Sequence, residues 1–468
     1  MNHIEMPSTL PTSSLSNYPL SLPTNAPKPT KPSDFEWEQL GADVAGEFAG
    51  DYSGLSVSLS QDGTKIAIGA YGNDANGSSS GHVRVLQFSE ESGKWTQLGG
   101  DIDGEAAGDY SGSSVSLSQD GTTVAVGAIL NDDNGRSSGH ARIFQFSEEN
   151  NVWIQVGGDI NGEAASDYFG SSVSLSQDGS RVAIGAFGND GNRSSTGHVR
   201  IFELNGSNDW AHLGGDIDGE GVSDGSGRSV SISTDGTIVA IGATGNDDNG
   251  SNSGHVRIFE LNEGSNSWVK LGNDIDGEAA DDGSGGSVSL SQDGTRVAIG
   301  ATGNDGKGSM SGHVRVFQLN RENNMWVQLG EDIEGESIQE SSGWSVPLSA
   351  NGKRVAIGAT KNAENGNDSG QVRVLEFSRA SNEWLKVGEH INGGAANDYF
   401  GTSVSLSHDG SVVAIGAHGS DSNGSNAGHV QVYQAVLSFP QTCDYDNNEK
   451  NRYPSSLDKE CRMQAIRS

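Results

Sequence analysis

The chain has 468 residues and carries 28 Lys+Arg against 62 Asp+Glu, a formal net charge of −34 at pH 7. That charge excludes sequence-independent nucleic-acid binding, which needs clustered cations against phosphates, and adsorption to anionic membrane surfaces. No apolar run reaches the roughly 18 residues of a transmembrane helix, two Cys cannot build a disulfide scaffold, and 68 Gly argue for turns and close backbone contacts rather than long helices.

Residues 1–34 come first, rich in Pro, Ser and Thr and lacking an apolar leader core, a composition that predicts a disordered segment. From there a ruler appears. Trp37, Trp95, Trp153, Trp210, Trp268, Trp326 and Trp384 fall 58, 58, 57, 58, 58 and 58 residues apart, and the phrases between them recur almost word for word. Self-similarity at a fixed period marks a repeat architecture. Residues 153–209 show the unit. Its strands are predicted at 153–156 (WIQV), 172–176 (SVSLS), 181–186 (RVAIGA) and 197–202 (GHVRIF). In SVSLS, Val173 and Leu175 alternate with serines, the period of a strand with one apolar face. Asp178 and Gly179 then supply a hairpin turn. RVAIGA is apolar on both faces, as expected of a strand covered on both sides. No stretch shows a 3.6-residue period, so the chain is read as all-β.

Seven such units predict a seven-bladed β-propeller of four-stranded blades over residues 35–436. The chain opens with a Trp strand and ends without one, an offset that pairs the segment around Trp37 with residues 430–433 as the outer edge of the last blade. An open solenoid would instead want dissimilar capping repeats, and neither end offers one. Residues 437–468 follow as a tail holding Cys443 and Cys461, which a bridge or two free thiols would suit equally.

These phrases resemble the FG-GAP repeat, the unit of the integrin α-chain N-terminal propeller. Phe169-Gly170 and Phe400-Gly401 match its FG, and Gly69-Ala70 and Gly185-Ala186 its GA. The resemblance implies adhesion-like recognition in an extracellular or cell-surface setting. Sequons at Asn76, Asn192, Asn205, Asn249, Asn367 and Asn423 permit glycosylation there, and the cytoplasm stays open for want of a visible signal peptide. Two departures matter. Tyr71, Ile129, Phe187, Thr244, Thr302, Thr360 and His418 stand where the family has Pro after Gly-Ala. The family's Asp-rich calcium loop is cut to turns such as Ser60-Gln61-Asp62-Gly63, and one carboxylate cannot supply the 6–8 oxygens Ca²⁺ takes.

Propeller connectivity puts the inter-blade loops and the loops between second and third strands on one face. Asp101, Asp103, Glu105, Asp109, Asp216, Asp218, Glu220, Asp224, Asp274, Asp276, Glu278 and Asp282 crowd the first loop type, and the second is rich in Asn and Asp. Weak Ca²⁺ binding is the metal reading of these oxygens; turn-holding Asx side chains and solvated carboxylates are the structural one. No other cofactor is expected. His82, His140, His198, His255, His313 and His429 open the third strand of six blades, with Gln371 in the remaining one. Blade-to-blade distances of about 10 Å are too long for one shared ion, so each imidazole is expected to bond locally. Arg84, Arg142, Arg200, Arg257, Arg315 and Arg373, two residues on, are expected to pair with acids such as Glu105 or Asp109.

No His-Glu-x-x-His or phosphate loop is present, and the blades are near copies, whereas catalysis needs unlike residues in one place. The functional expectation is a monomeric, non-enzymatic binding or scaffold module, recognising protein or glycan through its acidic loop face, with no catalytic residue. Two alternatives stand beside it: a hydrolytic enzyme at the channel mouth, marked by a deep pocket with paired carboxylates beside Trp344, and a purely structural matrix protein. The main departures from the repeat are Trp344, Pro347, Asn351, His390, His408 and His418.

Overall fold

The computed structural model describes residues 31–438 apart from Asn192; the Pro/Ser/Thr-rich segment up to residue 30 and the tail with both cysteines lie outside the described residues. Apart from a 3₁₀ turn at Pro32–Asp34, the described elements are strands. They form seven small antiparallel sheets arranged as a seven-bladed β-propeller. In blade three, counted from the inner strand of blade one at Ser56–Leu59, the order outward is Ser172–Leu175, Arg181–Ala186, His198–Leu204 and Trp210–His212. A two-residue strand, Ile217–Asp218, then pairs with the third strand before the chain enters blade four. The first hairpin is held by Asp178, whose Oδ1 accepts the Ser176 hydroxyl at 2.8 Å, the Ser180 hydroxyl at 2.7 Å and the Ser180 N–H at 3.0 Å. Partial burial raises this carboxyl, but those hydrogen bonds outweigh it and hold the group below the usual carboxylate range.

The core lies between blades. Val173, Leu175, Val182 and Ile184 of blade three pack on Ala125, Ala141 and Ile143 of blade two, and six further clusters repeat the pattern, one of them joining Leu59, Ile66 and Ile68 of blade one to Val412, Ala414 and Val432 of blade seven. The second strands are covered on both sides, as their unbroken apolar run predicts.

Three repeated devices fix the spacing of the blades. A Cβ at the Gly-Ala glycine would lie 2.0–2.1 Å from the carbonyl oxygen of the next blade's FG-type glycine, as at Gly185 beneath Gly227, Gly69 beneath Gly112 and Gly416 beneath Gly54. The serines of SVSLS bridge inner strands: Ser172 Oγ donates to Gly227 O at 2.9 Å, and Ser174 Oγ accepts from Ile232 N–H at 3.1 Å. Each outer-strand indole donates to the preceding blade, Trp210 Nε1 to Val156 O and Trp37 Nε1 to Val387 O, both at 2.8 Å. Arg142 adds a fourth link, donating to Asp103 O at 2.7 Å and pairing with Glu105 at 3.5 Å, as expected of these arginines.

The strand Phe35–Gln39 pairs with His429–Leu437, with Trp37 opposite Ala435 and Gln39 opposite Tyr433. At the far end of the channel, seven backbone hydrogen bonds run Gln61 to Gln119, Gln177, Thr234, Gln292, Ala350, His408 and back to Gln61.

Gly185→Ala is expected to destabilise the chain by about 1–3 kcal/mol, because a methyl group there collides with backbone that cannot swing away. Gly158→Ala, whose Cβ meets nothing within 4 Å, serves as the control and should change stability by less than about 0.5 kcal/mol. Urea unfolding midpoints check both; equal midpoints would refute the packing argument.

Candidate functional site

The inter-blade and two-to-three loops share a face: Asn134 Nδ2 donates to Gly162 O at 2.7 Å, and Phe169 N–H to Ser138 O at 3.0 Å. The twelve carboxylates singled out from the sequence divide among several tasks. Asp109, Asp224 and Asp282 are buried and tie loop backbone, accepting from the N–H of Ala106 (3.0 Å), Gly221 (2.7 Å) and Ala279 (3.0 Å) and from Asn131, Asn246 and Asn304. Glu105, Glu220 and Glu278 pair with Arg142, Arg257 and Arg315 at 3.3–3.5 Å. Asp103, Asp218 and Asp276 lend their backbone carbonyls to the same arginines. Asp101 accepts from Gln97 Nε2 at 2.6 Å, Asp274 pairs with Lys270, and Asp216 lies 3.4 Å from Arg200 Nε and His212 Nε2.

Where donors do converge among the described residues, each group includes a histidine: Glu105, Asp133 and His140 form one such group, with ligand atoms within 4.8 Å of one another. The strand-three imidazoles were expected to bond locally. Instead both nitrogens of His82, His140, His255 and His429 are buried without a hydrogen-bond partner. In blades one to five the third strand drives the ring beneath a loop whose glutamate is already held by arginine, and His140 Nδ1 stays 3.8 Å from Glu105 Oε2. Burial pushes all six of these imidazoles below the ordinary histidine range.

The repeat breaks at the channel mouth on this same face. A cavity of about 380 Å³ runs along all seven inner strands. At its rim the residue after the FG-type glycine is Leu55, Ser113, Ser171, Arg228, Gly286, Trp344 and Thr402 in turn, seven equivalent positions with six residue types. Trp344 leaves 46% of its surface exposed, and Arg228 is exposed with its guanidinium 5.1 Å from the Phe187 ring centroid. The substituted Gly-Ala-Pro position adds rings. Tyr399, His418, Tyr52, Tyr71 and Tyr110 follow one another across blades seven, one and two with centroids 5.1–6.2 Å apart, and Tyr168 stacks on Phe187 at 5.1 Å. Tyr52, Tyr110, Tyr168 and Tyr399 all have φ of 53–58°, a left-handed conformation costly for a bulky residue; blades four and five put Gly225 and Gly283 there.

Within this arc Thr402 Oγ1 lies 2.9 Å from His418 Nδ1 and donates its own proton to Tyr399 O at 2.7 Å. With the one hydroxyl proton on Tyr399 O, the matching tautomer of His418 donates from Nδ1 and keeps the Nε2 lone pair as the ring's acceptor. Burial lowers His418 to about 4, so the ring is neutral at pH 7. Among the described residues no carboxylate lines the cavity, so the pair expected beside Trp344 for the hydrolytic alternative is not part of that lining. Sequence reasoning picked out Trp344 and His418, and Tyr71 and Phe187 as substitutions at the family's Pro position, but passed over Leu55, Arg228, Thr402, Tyr52, Tyr110, Tyr168 and Tyr399.

Five stretches, residues 45–86, 102–144, 161–202, 218–259 and 392–433, match the family model of the FG-GAP repeat. The chain thus carries five FG-GAP repeats within a seven-bladed β-propeller, as Phe169-Gly170 and its counterparts suggested. No curated protein matches it in sequence. Among solved structures it is similar to a candidate 6-phosphogluconolactonase of Bacteroides uniformis (15% identity, TM-score 0.50, 73% of this chain and 86% of that one). It is also similar to the periplasmic gluconolactonase of Pseudomonas aeruginosa (16%, 0.49, 73% and 85%) and to a candidate 6-phosphogluconolactonase of Bacteroides fragilis (13%, 0.46, 73% and 85%). At this identity the likeness shows the fold. The expectation of a non-enzymatic recognition module is corrected here: the fold is shared with a chain named as a candidate 6-phosphogluconolactonase, which favours the hydrolytic alternative over that reading. That expectation rested on seven equivalent blades, and at the channel rim the blades are not equivalent. No helix among the described residues is long and apolar enough to cross a membrane.

The buried histidines set a pH dependence of stability. A folded-state value held below 6.5 favours the neutral ring, so the associated stability is complete above about pH 6.5 and is lost as pH falls through the lowered values. The melting temperature should therefore drop between pH 7.5 and 5. His429→Gln, which installs the residue blade six carries as Gln371, should shrink that drop; an unchanged pH dependence would contradict this assignment.

Proposed function

We propose that the chain is a hydrolase acting at the channel mouth on a lactone or similarly activated ester of an anionic sugar acid. The observation that carries this reading is the Thr402–His418 pair, a neutral imidazole of fixed tautomer set in an aromatic rim. The lactonase names of similar propellers support the same class of reaction.

The chemistry selects among hydrolyses. Glycosidases use two carboxylates flanking the bond, and the cavity lining holds none. Covalent acyl transfer needs a nucleophile activated by a base, but the Thr402 proton is committed to Tyr399 O. What the rim offers is one general base. His418 Nε2 takes a proton from water as that water attacks the acyl carbon, and the imidazolium returns this proton to the alkoxide as the ring C–O bond breaks. A base with a value of about 4 is weak, which suits a strained, activated acyl group better than an amide. Trp344 and the tyrosines present flat apolar faces to the C–H faces of a sugar ring. Arg228, on blade four, stands three blades from Thr402 and can pair with the carboxylate or phosphate at the substrate's far end.

Hydrolysis of gluconolactone and 6-phosphogluconolactone, followed by pH-stat above the uncatalysed rate, tests the reading. His418→Ala should lower kcat/KM by about 10²-fold or more, and the acid limb of the wild-type profile, with an apparent pKa near 4, should vanish with it. Arg228→Ala should raise KM for the phosphorylated lactone more than for the neutral one. No rate above background on either lactone, or an unaltered rate in His418→Ala, would rule the reading out.

A further inference from the structure

We propose that blades one to five each carry one site for a divalent metal ion of the zinc type, formed by the strand-three histidine and two carboxylates. In blade two the donors are His140, Glu105 and Asp133; in blade four they are His255, Glu220 and Asp248. Each set draws its ligand atoms within 4.8 Å of one another. Two donors on one Zn²⁺, each bound at about 2.0–2.2 Å, lie no more than about 4.4 Å apart, so only a small closure is needed.

The independent sign of a ligand is the histidine itself. His140 and His255 are 0% exposed, and neither nitrogen of either ring has a hydrogen-bond partner. A buried polar group without a partner is costly. His140 Nδ1 faces Glu105 Oε2 at 3.8 Å, and His313 Nδ1 faces Glu278 Oε2 at the same distance. That separation is too long for a hydrogen bond and matches two ligands meeting across one ion. The other carboxylate oxygen, Glu105 Oε1, stays with Arg142 at 3.5 Å, which orients the glutamate as an outer partner does at metal centres.

The third donor argues the same way. Blades one, three and five have Ala75, Gly191 and Gly306 where blade two has Asp133. There the inter-blade loop supplies Asp101, Asp216 and Asp332 instead, so the set of one nitrogen and two oxygens persists although its source changes. Blades six and seven are internal controls. Gln371 replaces the histidine in blade six and donates to Asn392 Oδ1 at 2.9 Å, while Gly394 replaces the glutamate in blade seven; neither blade forms such a group among the described residues. Imidazole with carboxylate suits Zn²⁺ rather than Ca²⁺, which takes oxygen alone.

The test uses the full chain, stripped with chelator and titrated with ZnCl₂, with the zinc count read by native mass spectrometry. His140→Gln should lower the count by one while the fold survives, since blade six already carries Gln there, and His429→Gln should leave it unchanged. X-ray absorption at the zinc edge should give a nitrogen/oxygen shell at about 2.0–2.1 Å. A chain that retains no zinc, a count unaffected by His140→Gln, or a sulfur-dominated shell overturns the proposal.

Discussion

The structure depends on one contact: the peptide oxygen of each FG-type turn rests on the glycine of the previous blade's Gly-Ala pair, where a side chain would sit. At Gly185 the space for a Cβ is taken by Gly227 O, and the turn glycine itself has φ of 90°. Neighbouring sheets can therefore approach to backbone contact near the axis while Val, Ile and Leu fill the widening wedge farther out. Once that pitch is set, the serines of the inner strands reach the next strand and each indole reaches the preceding blade's carbonyl. The FG and GA of the repeat are thus the two halves of a single packing interaction.

That scaffold leaves few positions free to vary. Residues between blades are pinned by packing, and those of the outer loops by Asx and arginine contacts. The rim of the channel is different, because a side chain there projects from a fixed glycine into open space. Leu55, Arg228, Trp344 and Thr402 occupy the same slot in different copies, and His418 and Tyr71 do so one loop away. Repetition supplies rigidity, and the channel rim is where the copies differ. Placing tyrosine in a left-handed conformation in four adjacent blades accepts backbone strain, which fits a rim whose rings serve a ligand.

The fold was legible because its rules are local and repeated. The Trp spacing gave the blade count, the alternation of SVSLS the inner strand, and the missing final Trp strand the role of Phe35–Gln39. The mouth was not legible in the same way. Thr402 and His418 lie sixteen residues apart with ordinary neighbours, and Arg228 and Trp344 come from other copies. The histidines were named but compared only with one another across blades, whereas each in blades one to five lies near a glutamate thirty-five residues earlier, as Glu105 near His140, and an aspartate from a neighbouring loop. The short strand after each Trp turns back along the third, setting His140 opposite Asn161 of the loop that leaves its own blade. That turn has no signature in residue type.

A crystal structure of the chain soaked with gluconate, the ring-opened form of the simplest lactone in question, tests most directly the claim that the departures from repetition are the working site. The account predicts the sugar acid seated in the mouth, its carbons against Trp344 and one oxygen within hydrogen-bond reach of His418 Nε2. Gluconate bound instead on the acidic outer loops or at the far end beside Gln61 and Gln119, with the mouth bare, would contradict it.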